Sequence, residues 1–558
     1  MRSTTTRIVT SCAALTLLLL AQARPAEASC LLPGGKKTIG NSSSPWRIKV
    51  RLADDATNGF PVIGVSTDEA ERRLQHALGH MNAYLGGEVQ LDYIGRGCSF
   101  LNASDGEICV HAWDCDNGAA ACGTSQACAT PLSCSGSACT DGWVRIVGGG
   151  ECASHNVYMD YPYNVDLNDL GQRTAGSEDD MVGTFEHELF HVLGFDHTGT
   201  CSQGSQLFSG NTESPLARYP SRDDVEGVRG LYGAASADAS YLESTTGFSW
   251  TAGSPSFSAQ ALYRFGSLTY GAVFLGVART IAQDDLVRFR KLTTSGWQPS
   301  VVVDASASGK TFAPSSVAIS TVSGKLLLVW LADESATAFG SHLRFAVSND
   351  AGATWPVKGY LTEANGNIVT TTRRAVSVGF DNSSGKFIVV WHNNLDKLSY
   401  ITMSGNAPED TATWHRDSFD NLAFDGASVA CAGVASSGND KCIITWTDMQ
   451  DDYCVSRRGG SIDGNGKFQT DRMMTECFNQ SFAVPSVTVF PPLVSTPYEF
   501  AWHSPNQTFT FATKGPKAGD FMINEALKTQ TQFISPPSLG SWQNGSTSEL
   551  VVLTANFP

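Results

Sequence analysis

Between residues 272 and 556 one apolar pattern returns six times, as AVFLGV, KLLLVWLAD, KFIVVWHNN, KCIITWTDM, YEFAWHS and SELVVLTAN. With Phe274, Trp330, Trp391, Trp446, Trp502 and Leu553 as its rungs, the spacings are 56, 61, 55, 56 and 51 residues. Each run is short, apolar and closed by polar or turn-forming residues, which is how a buried strand reads. A second ladder, Trp250, Trp297, Trp355, Trp414, Phe468 and Phe521, sets an aromatic residue 19 to 25 residues after each internal strand rung. A repeat of this length buries its apolar face only by stacking on its neighbours. Trp250 has no strand rung before it, and Leu553 has no aromatic after it. Joining the two ends completes one unit from both and leaves no open sheet edge. The expected architecture over 241–558 is therefore an all-β propeller of six blades, in preference to a pair of β-sandwiches.

The N-terminal half follows another grammar. WRIKVRL (46–52) has the pattern of a short strand. VSTDEAERRLQHALGHMNAYLGG follows with a helix start at Ser66 and Glu69 three residues on. Ala70, Leu74, Ala77, Leu78, Met81 and Leu85 form one helical stripe, and Gly86-Gly87 ends it. VQLDYIG predicts a second strand, and WVRIVGG and NVYMDY further ones. SEDDMVGTFEHELFHVLG predicts a second helix with Ser177 and Asp180 at its start, and SRDDVEGVRGLYG a third, capped by Ser221. Composition shifts at AASADAS (234–240). The expected division is a signal peptide over 1–28, a first domain over 29–235 with a Cys-rich loop at 98–152, a linker at 236–240 and the repeats over 241–558.

Charge and cysteines narrow the setting. A net charge of −16 repels phosphate and excludes a nucleic-acid partner. Arg2 and Arg7, an apolar stretch over 8–21 and Ala26-Glu27-Ala28 form a secretory signal, cleaved after Ala28. No later apolar run reaches the roughly 18 residues that a membrane-spanning helix needs. Glu27 disfavours a lipid anchor on Cys30. The expectation is a soluble, secreted protein. Beyond Cys12, ten cysteines lie between Cys30 and Cys201 and four between Cys431 and Cys477. Both sets are even, as disulfide pairing in an oxidising compartment requires. Seven of the cysteines crowd residues 98–139, without a CxxC pair and with Gly, Ala, Ser and Thr as filler, which favours a stapled loop over a metal cluster. The sequence does not reveal the pairings.

Residues 187–197 read HELFHVLGFDH and hold three of the chain's 11 histidines. On a helix His187 and His191 share a face, where two imidazoles can bind one Zn²⁺ at roughly 2.0–2.1 Å. Glu188 lies about 100° round the helix, beside the metal, and is the candidate catalytic base. Gly194 allows the sharp turn that returns His197 as a third ligand. Three protein ligands leave a fourth position for water, whose pKa zinc lowers toward about 7. A lone histidine on an apolar helix is usually a core residue. Five matched positions of HExxHxxGxxH arise by chance on the order of once in ten thousand chains of this length.

This stretch resembles the metzincin zinc metalloproteases, matrixin-like branch. The resemblance covers roughly residues 46–233 and includes RYPSRDDVEGVRGLYG. It implies an α+β catalytic domain, a twisted mixed sheet plus long helices, with zinc endopeptidase activity on protein or peptide substrates. His187, His191 and His197 match the family's zinc ligands, and Glu188 its general base. Two departures stand out. The family's methionine before Tyr-Pro is absent, since the chain reads SPLARYP with Leu216 and Arg218 there. No inhibitory cysteine motif precedes the domain. Tyr219 is read as packing, and structural Ca²⁺ is not readable.

SNDAGATW (348–355) matches the Asp-box of sialidase-like propellers, and SIDGNGKF (461–468) is a weaker copy. Asp350 can accept backbone N–H groups across the turn, Gly352 allows the bend, and Trp355 packs beneath. Arg344, Arg373 and Arg374 supply arginines without showing that they converge. The leading expectation is a secreted zinc endopeptidase whose propeller binds a substrate, glycan or surface ligand. The alternatives are a glycan- or protein-binding adhesin with an inactive protease site, and a sialidase-type glycosidase.

Overall fold

The computed structural model describes residues 38–39, 46–84, 89–98, 106–114, 127–132, 138–139, 141–148, 158–159, 179–196, 222–233, 239–242, 257–262, 274–279, 286–293, 296–306, 309, 315–332, 341–371, 376–393, 397–431, 441–448, 454–476, 485–489, 498–503, 509–514, 521–527, 538–544 and 547–554. The signal segment, Leu85, most of the Cys-rich loop, His197, Leu216, Arg218, Tyr219, Trp250, Arg373 and Arg374 lie outside them.

In the N-terminal part, strands β1 (Trp46–Leu52), β2 (Val89–Arg96), β3 (Glu107–Asp114), β4 (Ala127–Leu132) and β5 (Asp141–Gly148) form a sheet in the order β2-β1-β3-β5-β4. β1 runs parallel to β2 and β3, β3 parallel to β5, and β4 antiparallel to β5. Helix α1 (Thr67–Tyr84) begins where Ser66 Oγ accepts the Glu69 N–H at 3.2 Å, a side-chain cap for an otherwise orphan donor. Its stripe of Ala70, Leu74, Ala77, Leu78 and Met81 is buried with Ile48 and Val50 of β1 and Ile108 and Val110 of β3. Helix α2 (Met181–Leu193) joins the same core through Phe185 and Leu189, and α3 (Arg222–Tyr232) through Val228 and Tyr232. A disulfide ties Cys98 to Cys109.

From Ala239 onward, six antiparallel sheets are described. Strand β6 (Ala239–Leu242) belongs to the last of them. The first sheet is β7 (Phe257–Leu262), β8 (Phe274–Arg279) and β9 (Arg288–Thr293), edged by Gly296–Trp297 and Val301–Val302. The second is β10 (Ser316–Ile319), β11 (Leu326–Ala332), β12 (Ser341–Ser348) and β13 (Val357–Tyr360). The third is β14 (Val376–Asp381), β15 (Lys386–His392), β16 (Lys397–Ser404) and the first half of β17 (His415–Cys431). The second half of β17 opens the fourth, with β18 (Cys442–Asp448), β19 (Cys454–Ile462) and β20 (Phe468–Glu476). The fifth is β21 (Ser486–Val489), β22 (Tyr498–His503), β23 (Phe509–Lys514) and β24 (Phe521–Leu527). The sixth pairs β25 (Ser538–Asn544) with β26 (Thr547–Thr554), and β26 with β6. Contacts run β7 to β10 to β14 to β17 to β21 to β25 and back to β7, so the leading strands close a ring. The sheet that shuts it is drawn from both ends of this part of the chain. A second disulfide, Cys431–Cys442, crosses the first hairpin of the fourth sheet.

The turn aromatics set the spacing between sheets. Trp355 meets Phe289 of the first sheet edge-on at 5.3 Å, and Trp414 meets Phe345 of the second at 5.6 Å. Phe468 meets Tyr400 of the third at 6.3 Å. Each wedge thus packs on an aromatic of the preceding sheet's third strand, where edge-to-face rings add to area burial. Asp350 fixes one of these turns, accepting the Thr354 N–H at 2.9 Å and its hydroxyl at 2.6 Å. Asp463 does the same in the weaker copy, accepting the Asn465 and Lys467 N–H groups, both at 2.9 Å.

The expected fold class, an α+β metzincin-type domain ahead of a six-bladed propeller, is corrected for the chain as a whole. Short antiparallel sheets in a propeller-like ring dominate the described residues, and α-helix is confined there to segments of 18, 13 and 11 residues. The physical reason is the supply of short apolar runs between turn residues, which satisfy their backbone groups in hairpin ladders. One rung is also misplaced in the sequence reading. Trp330, Trp391, Trp446 and Trp502 sit near the ends of their strands, whereas Phe274 opens β8.

Candidate functional site

Helix α2 positions the histidines expected to bind metal. Its glycine stop holds as sequence chemistry requires, with Gly194 at φ 108° and the Phe195 N–H bonded to the Phe190 carbonyl at 3.1 Å. The Tyr232 hydroxyl, from α3, donates to the Leu193 carbonyl at 2.8 Å and satisfies one of the helix's terminal acceptors. His187 and Glu188 are buried, and His191 is half-buried.

The imidazoles of His187 and His191 meet with Nε2 atoms 3.2 Å apart and rings near perpendicular at 84°. His191 Nδ1 lies 2.9 Å from the Phe195 carbonyl oxygen. That oxygen only accepts, so Nδ1 carries the proton and His191 Nε2 presents a lone pair. The separation matches two nitrogens on one tetrahedral ion at roughly 2.0–2.1 Å, which stand about 3.3 Å apart. The donor pair therefore fits a borderline-soft divalent ion. Glu188 is buried beside them, and burial pushes its carboxyl up to about 8.

The third expected ligand, His197, lies outside the described residues. Among the described residues no group of three or more His, Cys, Asp or Glu side chains could hold a metal ion. The structure brings together two members of the expected trio.

The ring carries a different chemistry. In its second sheet the Arg344 guanidinium lies 5.6 Å from the Trp330 ring centre and 4.6 Å from that of Tyr360. Arg416 stacks on Trp414 at 5.0 Å, and Arg458 on Phe419 at 4.3 Å. Asp304, from the connection between the first two sheets, stands 3.4 Å from Arg344 and 3.7 Å from Lys358. Burial raises the Asp304 carboxyl, but hydrogen bonds from Ser306 and the charges of Lys358 and Arg344 bring it below the usual range. Arg344 was visible in the sequence as an arginine. Lys358 and Tyr360 were missed because only the strand register brings them near it, and Asp304 because it comes from the connection between sheets.

No family model matches the chain, and no curated protein matches it. Solved structures do match. AofleA from Arthrobotrys oligospora aligns at 10% identity and TM-score 0.36, covering 58% of this chain and 84% of that one. The fucose-specific lectin from Aleuria aurantia aligns at 13% identity and TM-score 0.36, covering 54% and 88%. The intramolecular trans-sialidase from Ruminococcus gnavus aligns at 10% identity and TM-score 0.33, covering 52% and 88%. The metzincin, matrixin-like attribution is corrected, and with it the zinc endopeptidase activity, because the ligand set that activity requires is not assembled among the described residues. No described helix is long and apolar enough to cross a membrane.

Proposed function

We propose that this chain is a secreted protein that binds glycans or a glycan-bearing surface, with the ring of sheets as its binding module. The observation that supports this most directly is the stacking of guanidinium groups on aromatic rings within the ring of sheets, at Arg344, Arg416 and Arg458. Of these pairs, Arg344 with the half-buried Tyr360 sets an aromatic ring for a saccharide's C–H groups beside a donor for its hydroxyls. A rigid closed ring presents them with little ordering cost on binding. The test is retention of the full chain on immobilised oligosaccharides, with competition by free sugar. Absence of retention across a broad glycan panel would sink the reading.

A second property is proposed for α2. His187 and His191, with His197 as the sequence suggests, form a Zn²⁺ site, and Glu188 lines it. The 3.2 Å approach of the two Nε2 atoms favours this reading. Metal analysis of the purified chain should find about one zinc, lost in the double variant His187→Ala, His191→Ala. Equal metal content in both proteins would refute it.

A further inference from the structure

The C-terminal end of α2 joins its histidines to another helix. The last carbonyls of a helix have no partner within it. Here the Gly194 N–H serves the His191 carbonyl at 3.0 Å, and the Phe195 N–H serves that of Phe190 at 3.1 Å. The carbonyl of Leu193, a buried residue, lies beyond the reach of these local bonds. It accepts instead the hydroxyl of Tyr232 in α3, 39 residues further on, at 2.8 Å.

The same turn orients His191. The Phe195 carbonyl oxygen lies 2.9 Å from His191 Nδ1 and keeps the proton there, so Nε2 presents its lone pair 3.2 Å from His187 Nε2. Phe195 is held in turn by an edge-on contact with Phe190, ring centres 5.4 Å apart. Tyr232 is fixed on its own side, buried in the core with Val228 and edge-on to Trp46 at 6.5 Å. A continuous path of contacts thus runs from α3 through Leu193, Gly194 and Phe195 to the His191 imidazole. A helix stop alone needs only the glycine and the two N–H groups. The bond from α3 adds a fixed position for the turn relative to the core.

We infer that Tyr232 is a positioning residue for the metal site of α2, acting on His191 through the Leu193 carbonyl and the Phe195 turn, an inference that rests on the zinc reading above. Without the hydroxyl, the Leu193 carbonyl stays buried and loses its donor. The bodies of α2 and α3 are locked in the core by Phe185, Leu189 and Val228, which leaves the turn at Gly194 as the part that shifts. That shift draws the Phe195 carbonyl away from Nδ1. His191 then loses both its orientation and the proton placement that keeps Nε2 free for a metal.

Tyr232→Phe removes the hydroxyl and keeps the ring against Trp46. The full chain is stripped of metal and titrated with Zn²⁺ in competition with a chromophoric chelator. This variant should bind about ten-fold more weakly than wild type. With Co²⁺ in place of zinc its visible absorption should change in intensity, because that band reports ligand geometry. Phe195→Leu removes the edge contact with Phe190 and should move both readouts the same way; it carries the test if Tyr232→Phe does not fold. A hydroxyl that only caps the helix would lower the melting temperature and leave zinc affinity and the Co²⁺ spectrum as in wild type. That result overturns the inference and leaves the zinc reading standing. A wild-type chain that binds no zinc overturns both.

Discussion

Gly352 and Gly366 share a left-handed backbone, at φ 85° and 84°, yet an added methyl group would meet different surroundings. At Gly366 nothing lies within 4 Å, whereas at Gly352 the Phe289 ring lies 2.1 Å from the new Cβ. Gly366→Ala should therefore cost about 1 kcal/mol, from backbone strain alone. Gly352→Ala should cost about 3 kcal/mol, because the wedge of Trp355 on Phe289 must also shift. Equal costs in chemical denaturation would show that the turn tolerates the displacement. His111 carries a pH signature. Burial, then the nearby Arg145, pushes its pKa down to about 4 from 6.5. A histidine depressed in the folded state contributes stability above pH 6.5 that is lost as pH falls through 4. His111→Leu should flatten that window by about 3 kcal/mol relative to wild type. An unchanged acid slope would place the sensitivity elsewhere.

Elements set by local periodicity were legible in the sequence. The α1 stripe and its Ser66 start follow from residues a few positions apart, and so does the meeting of His187 with His191 one helical turn on. The Asp350 turn was readable for the same reason, since Ser348, Asp350 and Thr354 bond within seven residues. What depended on distant partners was not readable. Phe274 passed for a rung because an apolar run does not show which end of a strand it occupies. His197, the third ligand expected of a zinc centre, lies outside the described residues. Asp304 lies in another sheet's connection from Arg344, so nothing in the sequence joined them.

At the scale of the molecule, closure rests on β6, which pairs through Ala239, Ser240, Tyr241 and Leu242 with Thr554, Leu553, Val552 and Val551. A chain beginning at residue 243 should lose several degrees of melting temperature relative to one beginning at 234, and should self-associate, because β26 is left as a bare edge. Identical melting curves and monodisperse solutions for both would show that the ladder is dispensable. The same strand is where everything N-terminal to residue 239 enters the ring. Were the ring anchored to a surface while the N-terminal part was dragged by flow, the tension would fall on this ladder of four residue pairs. The seam that seals the disc is thus also its tether.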